Sequence, residues 1–375
     1  MVLEHCSEVL HDSERRLGLY TTAFVVGFFL LGLAAVYVTP AYRTVNLGVS
    51  YEMLSTKPFD FGTHNALQNR ILTPLLAHIL FFGGNLYLFF PLLVSVVFLA
   101  TVYIHFRRDS YTPTESIGVT ALMAFSTPVL CTLHFQGYTD TMSYLLIWLC
   151  LIVKPLSLRC FFFSLALLNH ESNAFCLPFL VYRPWEDGYN PRRTILYAVC
   201  FWVSFAPALA YRWYVTSQTE VLYSTDIYLN THKFADPVSK FIQAARLLPI
   251  GVFEAFRLFW FIPICAVALL IKRNLYGRAF WILLVVVCVS LQLLIANDTS
   301  RLIGLAFPAV LMGTLVLKTH LSAVPFERGI WLLIILNFFV PVYYVDRGSM
   351  CPFLPLPVSL ILRAIGVDAW SLWWK

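Results

Sequence analysis

The stretch LLNHESNAF, residues 167–175, sets an ionisable pair between two apolar runs, FFFSLALL before it and FCLPFLVY after it. If residues 155–182 form one long apolar helix, Glu171 lies inside it and Lys154 and Arg183 fall on opposite sides of a membrane. If the chain turns at Asn169-His170-Glu171-Ser172, two short helices make a hairpin and both basic residues share one side. The arms of that hairpin, 155–168 and 173–182, rise only about 21 and about 15 Å at the helical rise per residue. Arg159 shortens the first arm further, unless its long side chain reaches back to the interface. Lys and Arg gather in the cytoplasmic loops of membrane proteins, which favours the hairpin and puts the ionisable pair in an outward turn.

Working outward from this turn, the composition excludes an ordinary soluble domain. Of 375 residues, 59% are hydrophobic and only 12% charged, where a soluble domain carries about a quarter charged residues. A bilayer core of about 30 Å takes about 20 apolar residues per helical crossing, and the apolar runs lack the strict alternation of membrane strands. The expected fold is all-α: a polytopic integral membrane protein with roughly 11 segments in a single multi-span domain over residues 1–375. Basic loops recur after every second run. With the N-terminus cytoplasmic, segments 18–38, 116–133, 155–168, 194–214, 279–296 and 329–345 run outward, and 86–105, 139–153, 173–182, 251–271 and 301–317 return. The first run is too long for a signal-peptide core and lacks a small-residue cleavage site, so it reads as a retained span.

Two longer stretches fall on the outer side. In 39–85 a polar, turn-rich part precedes ILTPLLAHILFF (71–82), an apolar run whose length suits a juxtamembrane or re-entrant helix. The other is 215–250. The net charge of +6 comes from loop arginines and lysines and does not point to nucleic acid. The nine cysteines include no CxxC spacing and read as small core or lipid-facing residues.

Four polar clusters then share the outer boundary. In GYTDT (137–141), Thr139 or Asp140 can cap the following helix, or Asp140 can serve as a base or ligand. In NHES (169–172), Glu171 and His170 can satisfy one another, or act as an acid/base and its proton or phosphate partner. In NDTSR (297–301), Asp298 and Arg301 stand at helical spacing for an ion pair, and the planar fork of Arg301 also suits phosphate. In FDFGTHNALQNR (59–70), Asp60 offers a carboxylate and Arg70 an anion clamp, although a solvated loop explains both. Carboxylates, histidines and arginines at one membrane boundary are placed where a lipid-linked phosphate would lie.

The layout NRILTPLLA (69–77), GYTDTMSYLL (137–146) and LLNHESNAFCLPFL (167–180) resembles that of the polytopic glycosyltransferases of the GT-C superfamily, over roughly residues 18–185. The resemblance implies an enzyme that takes a sugar from a polyprenyl-phosphate donor on the non-cytoplasmic face and passes it to an acceptor glycan, lipid or protein. It also implies an acidic residue soon after the first span. Here VTPAYRTVNLGVSYE (38–52) offers no carboxylate before Glu52, so Glu52, Asp60, Asp140 and Glu171 share the candidacy, with Arg70, His170, Asp298 and Arg301 as substrate contacts. Two other functions fit the same residues. A membrane hydrolase would hold a divalent metal with His64, His134 and His170 beside Asp140 and Asp298. A lipid or small-molecule transporter would place polar groups nearer the midplane and carry inverted repeats, which the sequence lacks.

Overall fold

The computed structural model describes residues 2–63, 65, 67–183, 191–218, 237–294, 298–346 and 349–367. They are mostly helical. Among the described residues, five helices are long and apolar enough to cross a membrane: Leu19–Tyr37, Gly84–Arg108, Pro191–Gln218, Arg246–Lys272 and Thr299–His320. Pro113–Ala124 and Thr127–His134, bent by 52° at their junction, make a sixth if taken as one span. Pro128 explains that bend, because it has no N–H to donate into the turn before it. Shorter apolar helices cover Asp140–Ile152, Leu156–Asn169 and Tyr276–Leu291.

Two expected elements take another form. The run 173–182 is divided between a 3-10 turn, Glu171–Cys176, and a helix of five residues, Leu177–Val181. The run 329–345 is helical only to Phe338; its end is a strand, Val342–Val345, paired antiparallel with Met350–Phe353 so that Val342 faces Phe353 and Val345 faces Met350. The β-branched and aromatic residues of VYYV suit a pleated, half-buried ribbon better than a helix. The described residues therefore form a helical fold with one small β-hairpin.

Packing follows from aromatic residues inside and apolar residues outside. Phe98, Phe106, Tyr144, Trp148 and Phe307 are buried and meet ring against ring, joining Gly84–Arg108, Asp140–Ile152 and Thr299–His320. Gly27 lets the first long helix lie close on the second, since a Cβ there would stand 2.8 Å from the Val96 carbonyl oxygen. Outward, Phe24, Phe28 and Phe29 of the first helix and Trp202, Val203 and Trp213 of Pro191–Gln218 are exposed. Contiguous apolar surface of this kind marks contact with a partner or a lipid phase.

Charged side chains tie helix ends together. Glu14 accepts from Arg107 Nε at 2.7 Å and from Nη2 at 2.6 Å, Lys318 pairs with Glu115, and Arg183 donates to the carbonyls of Cys150 (3.2 Å) and Leu151 (2.6 Å). Arg183 thus returns to the end of the bundle where Leu156–Asn169 begins, and residues 155–182 form a hairpin. Arg159 points the same way, its Nε donating to the Val153 carbonyl at 2.6 Å. A buried arginine, Arg257, ties helix breaks together: it donates to Tyr37 Oη at 2.7 Å, to the Phe125 carbonyl at the 52° bend, and to the Val340 carbonyl.

Candidate functional site

At the opposite end from those basic clusters, Arg70 closes a tight turn. The Asn65 side chain accepts from Leu67 N at 2.9 Å, and Arg70 N donates to the Leu67 carbonyl at 2.8 Å before the helix Leu72–Ile79 starts. Thr73 Oγ1 donates to Asn169 Oδ1 and fastens that helix to the end of Leu156–Asn169, while Tyr211 Oη donates to the Gln68 carbonyl at 3.2 Å. These bonds bring three distant segments together. Arg70 Nε donates to Glu171 Oε2 at 3.0 Å, Nη2 donates to Oε1, and Nη1 reaches Tyr51 Oη at 3.3 Å. Arg212 approaches the same carboxylate at 3.6 Å.

Glu171 and His170 do not satisfy one another. His170 Nδ1 accepts from Ser172 N at 3.1 Å, capping the 3-10 turn, and lies 3.8 Å from Glu171 Oε2. That makes Nδ1 the acceptor of a neutral imidazole. Burial, reinforced by the Arg70 charge and opposed by Glu171, lowers His170 to about 3. For Glu171, burial would raise the carboxyl, but the Arg70 charge and hydrogen bonds outweigh it and hold the group well below the usual carboxylate range.

The second half of the site is built on Gly137. With φ at +93° the residue is in the left-handed region, and a Cβ there would stand 2.9 Å from Gly48 Cα, so the turn needs glycine on both counts. Thr139 makes no side-chain cap on the helix Asp140–Ile152, and the Asp140 carboxylate lies 3.6 Å from Arg301 Nη1. Capping therefore does not account for this aspartate. Arg301 Nη2 also donates to Asp298 Oδ2, its guanidinium stacks 4.8 Å from the Tyr138 ring centroid, and its buried Nε has no hydrogen-bond partner among the described residues. The β-hairpin contributes Tyr344, whose hydroxyl donates to Asp298 Oδ1 at 2.6 Å.

The two halves share a polar seam. Asn169 Nδ2 donates to the Thr139 carbonyl and to Ser143 Oγ, both at 2.9 Å, and Asn173 Nδ2 reaches the same hydroxyl at 2.8 Å. Their charges are unbalanced in opposite senses. Among the described residues, two arginines face one carboxylate around Glu171, a surplus of one positive charge, and two carboxylates face one arginine around Arg301, a surplus of one negative charge. Arg70 and Arg301 are buried beneath, at 7% and 6% exposure, while Glu171, Asp298 and Asp140 keep 34%, 25% and 16%. The carboxylates are the more exposed groups of the site.

The structure thus gathers Arg70, Asp140, His170, Glu171, Asp298 and Arg301. Asp60 is held by its own loop, 3.9 Å from Lys57 and accepting from Gly62 N at 3.1 Å, and Glu52 accepts from Thr44. His64 and Asn297 lie outside the described residues. His134 stacks on Phe353 at 4.1 Å, and among the described residues no group of three or more His, Cys, Asp or Glu is arranged to hold a metal ion. The residues that sequence reasoning passed over are Arg212 and Tyr344; Tyr51, expected to stack on sugar or prenyl groups, instead meets Arg70 through its hydroxyl. Arg212 had a signal, being the single charged residue in the apolar run 194–214.

The chain matches no protein-family model, no curated protein and no solved structure.

Proposed function

We propose that this is a multi-pass integral membrane glycosyltransferase, N-terminus cytoplasmic, which takes a sugar from a polyprenyl-phosphate donor at the non-cytoplasmic face. The observation that carries this is the split of one polar constellation into a cationic half and an anionic half. A sugar phosphate calls for both: positive charge where the phosphate departs, and a carboxylate where the acceptor loses its proton.

In this reaction the acceptor oxygen bonds to the anomeric carbon of the sugar, and the bond from that carbon to the phosphate oxygen breaks with its electron pair. The polyprenyl phosphate leaves toward Arg70. The acceptor proton passes to Asp140, which lies 3.6 Å from Arg301 and is the carboxylate with no hydrogen-bonded guanidinium. Arg301, itself hydrogen-bonded to Asp298 and stacked on Tyr138, holds Asp140 in place through that ion pair. Glu171 is a weaker candidate for the base, because a carboxylate held in a bidentate arginine pair binds protons poorly. The sidedness rests on the basic ends of the helices lying opposite the site, as the positive-inside rule requires of a cytoplasmic face.

Mass spectrometry of lipid-linked sugars in cells with and without the protein tests the reading. A polyprenyl-phosphate sugar should accumulate when the protein is absent. Unchanged donor and acceptor pools would remove it.

A further inference from the structure

Arg212 lies in an apolar helix, and its guanidinium makes no hydrogen bond among the described residues. Its one ionic contact is Glu171 Oε2 at 3.6 Å, and it keeps 39% exposure. Beside it, Arg70 presents its fork to the same carboxylate, with Tyr51 holding the third nitrogen. Planar forks of this kind fit carboxylate and phosphate oxygens equally well. One carboxylate supplies two oxygens to two arginines; a phosphate diester supplies as many oxygens and as much charge on a larger tetrahedral centre, and a monoester supplies a third oxygen and up to one charge more. Glu171 projects from a 3-10 turn with a third of its side chain exposed.

We infer that Arg70 and Arg212 form a binding site for the phosphate group of a phosphate mono- or diester, and that Glu171 occupies this site in the unliganded chain as an internal stand-in anion which the ligand displaces. The inference rests on the sugar-transfer reading only for the lipid attached to the phosphate. Neutral His170 adds no competing charge beside the site. The Asp140–Arg301–Asp298 half, with its negative surplus, repels the phosphate from the wrong side. An internal competitor lowers the apparent affinity by the fraction of time that it leaves the site open. Removing Glu171 therefore has an effect opposite to that of removing an ordinary ligand contact.

The full chain in lipid nanodiscs is titrated with farnesyl phosphate and, separately, with inorganic phosphate, and thermal unfolding of each variant is recorded to show that it is folded. Glu171→Gln should bind about tenfold tighter than the unaltered chain, and Arg212→Gln about tenfold weaker or worse, the loss of one charge-assisted donor. Glu171→Ala should tighten binding in the same direction, so the outcome does not hang on one variant. Tightening with both ligands assigns the site to the phosphate group as such; tightening with farnesyl phosphate alone assigns it to a lipid-borne phosphate, and both support the inference. Folded Glu171 variants whose affinity is unchanged or weaker overturn it, as does the absence of binding to either ligand. Binding with no sugar transfer would leave this site standing and remove the transferase reading. Transfer without the tightening would do the reverse.

Discussion

Arg70 and Glu171, 101 positions apart, meet as a bidentate pair in which two guanidinium nitrogens donate to the two oxygens of one carboxylate. The pair needs the fork as well as the charge. Arg70→Lys keeps the charge but offers a single ammonium, so it should cost about 1.5–3 kcal/mol, the range for hydrogen bonds to charged groups, and should raise KM for a phosphate-bearing donor. Arg273→Lys, on an exposed turn, should do neither. Thermal unfolding and donor titration of the two variants, side by side, check this; equal effects would make the Arg70 fork incidental.

Gly137 carries the turn that presents Asp140. Gly137→Ala combines a left-handed backbone with a Cβ driven toward Gly48, and should lower stability by about 1–3 kcal/mol, the usual cost of backbone strain at a special position. Activity should fall further than stability, because the Asp140 carboxylate shifts relative to Arg301. Thermal unfolding together with a transfer assay separates the two effects. A fully stable, active variant would show that the turn has room the geometry denies it.

His170 predicts a pH dependence with a definite sign. Its folded value of about 3 lies below the ordinary histidine value, so between about pH 6.5 and that value the unfolded chain holds a proton that the folded chain does not. Stability must then fall as pH falls through this window. His170→Gln removes the contribution and should lose less stability than the unaltered chain between about pH 7 and about pH 5, where an unperturbed histidine titrates. Parallel unfolding profiles would contradict the buried, neutral imidazole.

Sidedness can be read directly. A cysteine replacing Ser172, in the turn between the hairpin arms, should react with a membrane-impermeant thiol reagent added outside intact cells, and one replacing Lys154, at the other end of the bundle, should react only after permeabilisation. Labelling of both from the same side would break the proposed orientation.

Much of this arrangement was legible in the sequence because cost made it so. Charges inside apolar runs are rare enough that GYTDT, NHES and NDTSR stood out, and the spacing of Asp298 and Arg301 foretold their pair. The turn at Glu171 followed from the basic residues Lys154 and Arg183. What the sequence did not carry was pairing at a distance: nothing local marks Arg70 as the partner of Glu171, or Tyr344 as the partner of Asp298. Those contacts depend on how helices pack. The strands 342–345 and 350–353 were hidden for a different reason, since a short apolar run has no period by which to tell a strand from the end of a helix. Arg212 was visible as an isolated charge, yet its direction, toward Glu171, is a property of the bundle.

Sugar transfer with Asp140 as the base underlies the other expectations. Its most direct measurement is the transfer of radiolabelled sugar from a polyprenyl phosphate by the reconstituted protein and by Asp140→Asn, which keeps the side chain's shape and removes its proton-accepting charge. Labelled product is expected from the unaltered protein, with a rate lower by about a hundredfold or more for the folded variant, the range of a general base. No transfer by the unaltered protein from any polyprenyl-phosphate sugar, or undiminished transfer by Asp140→Asn, would contradict it.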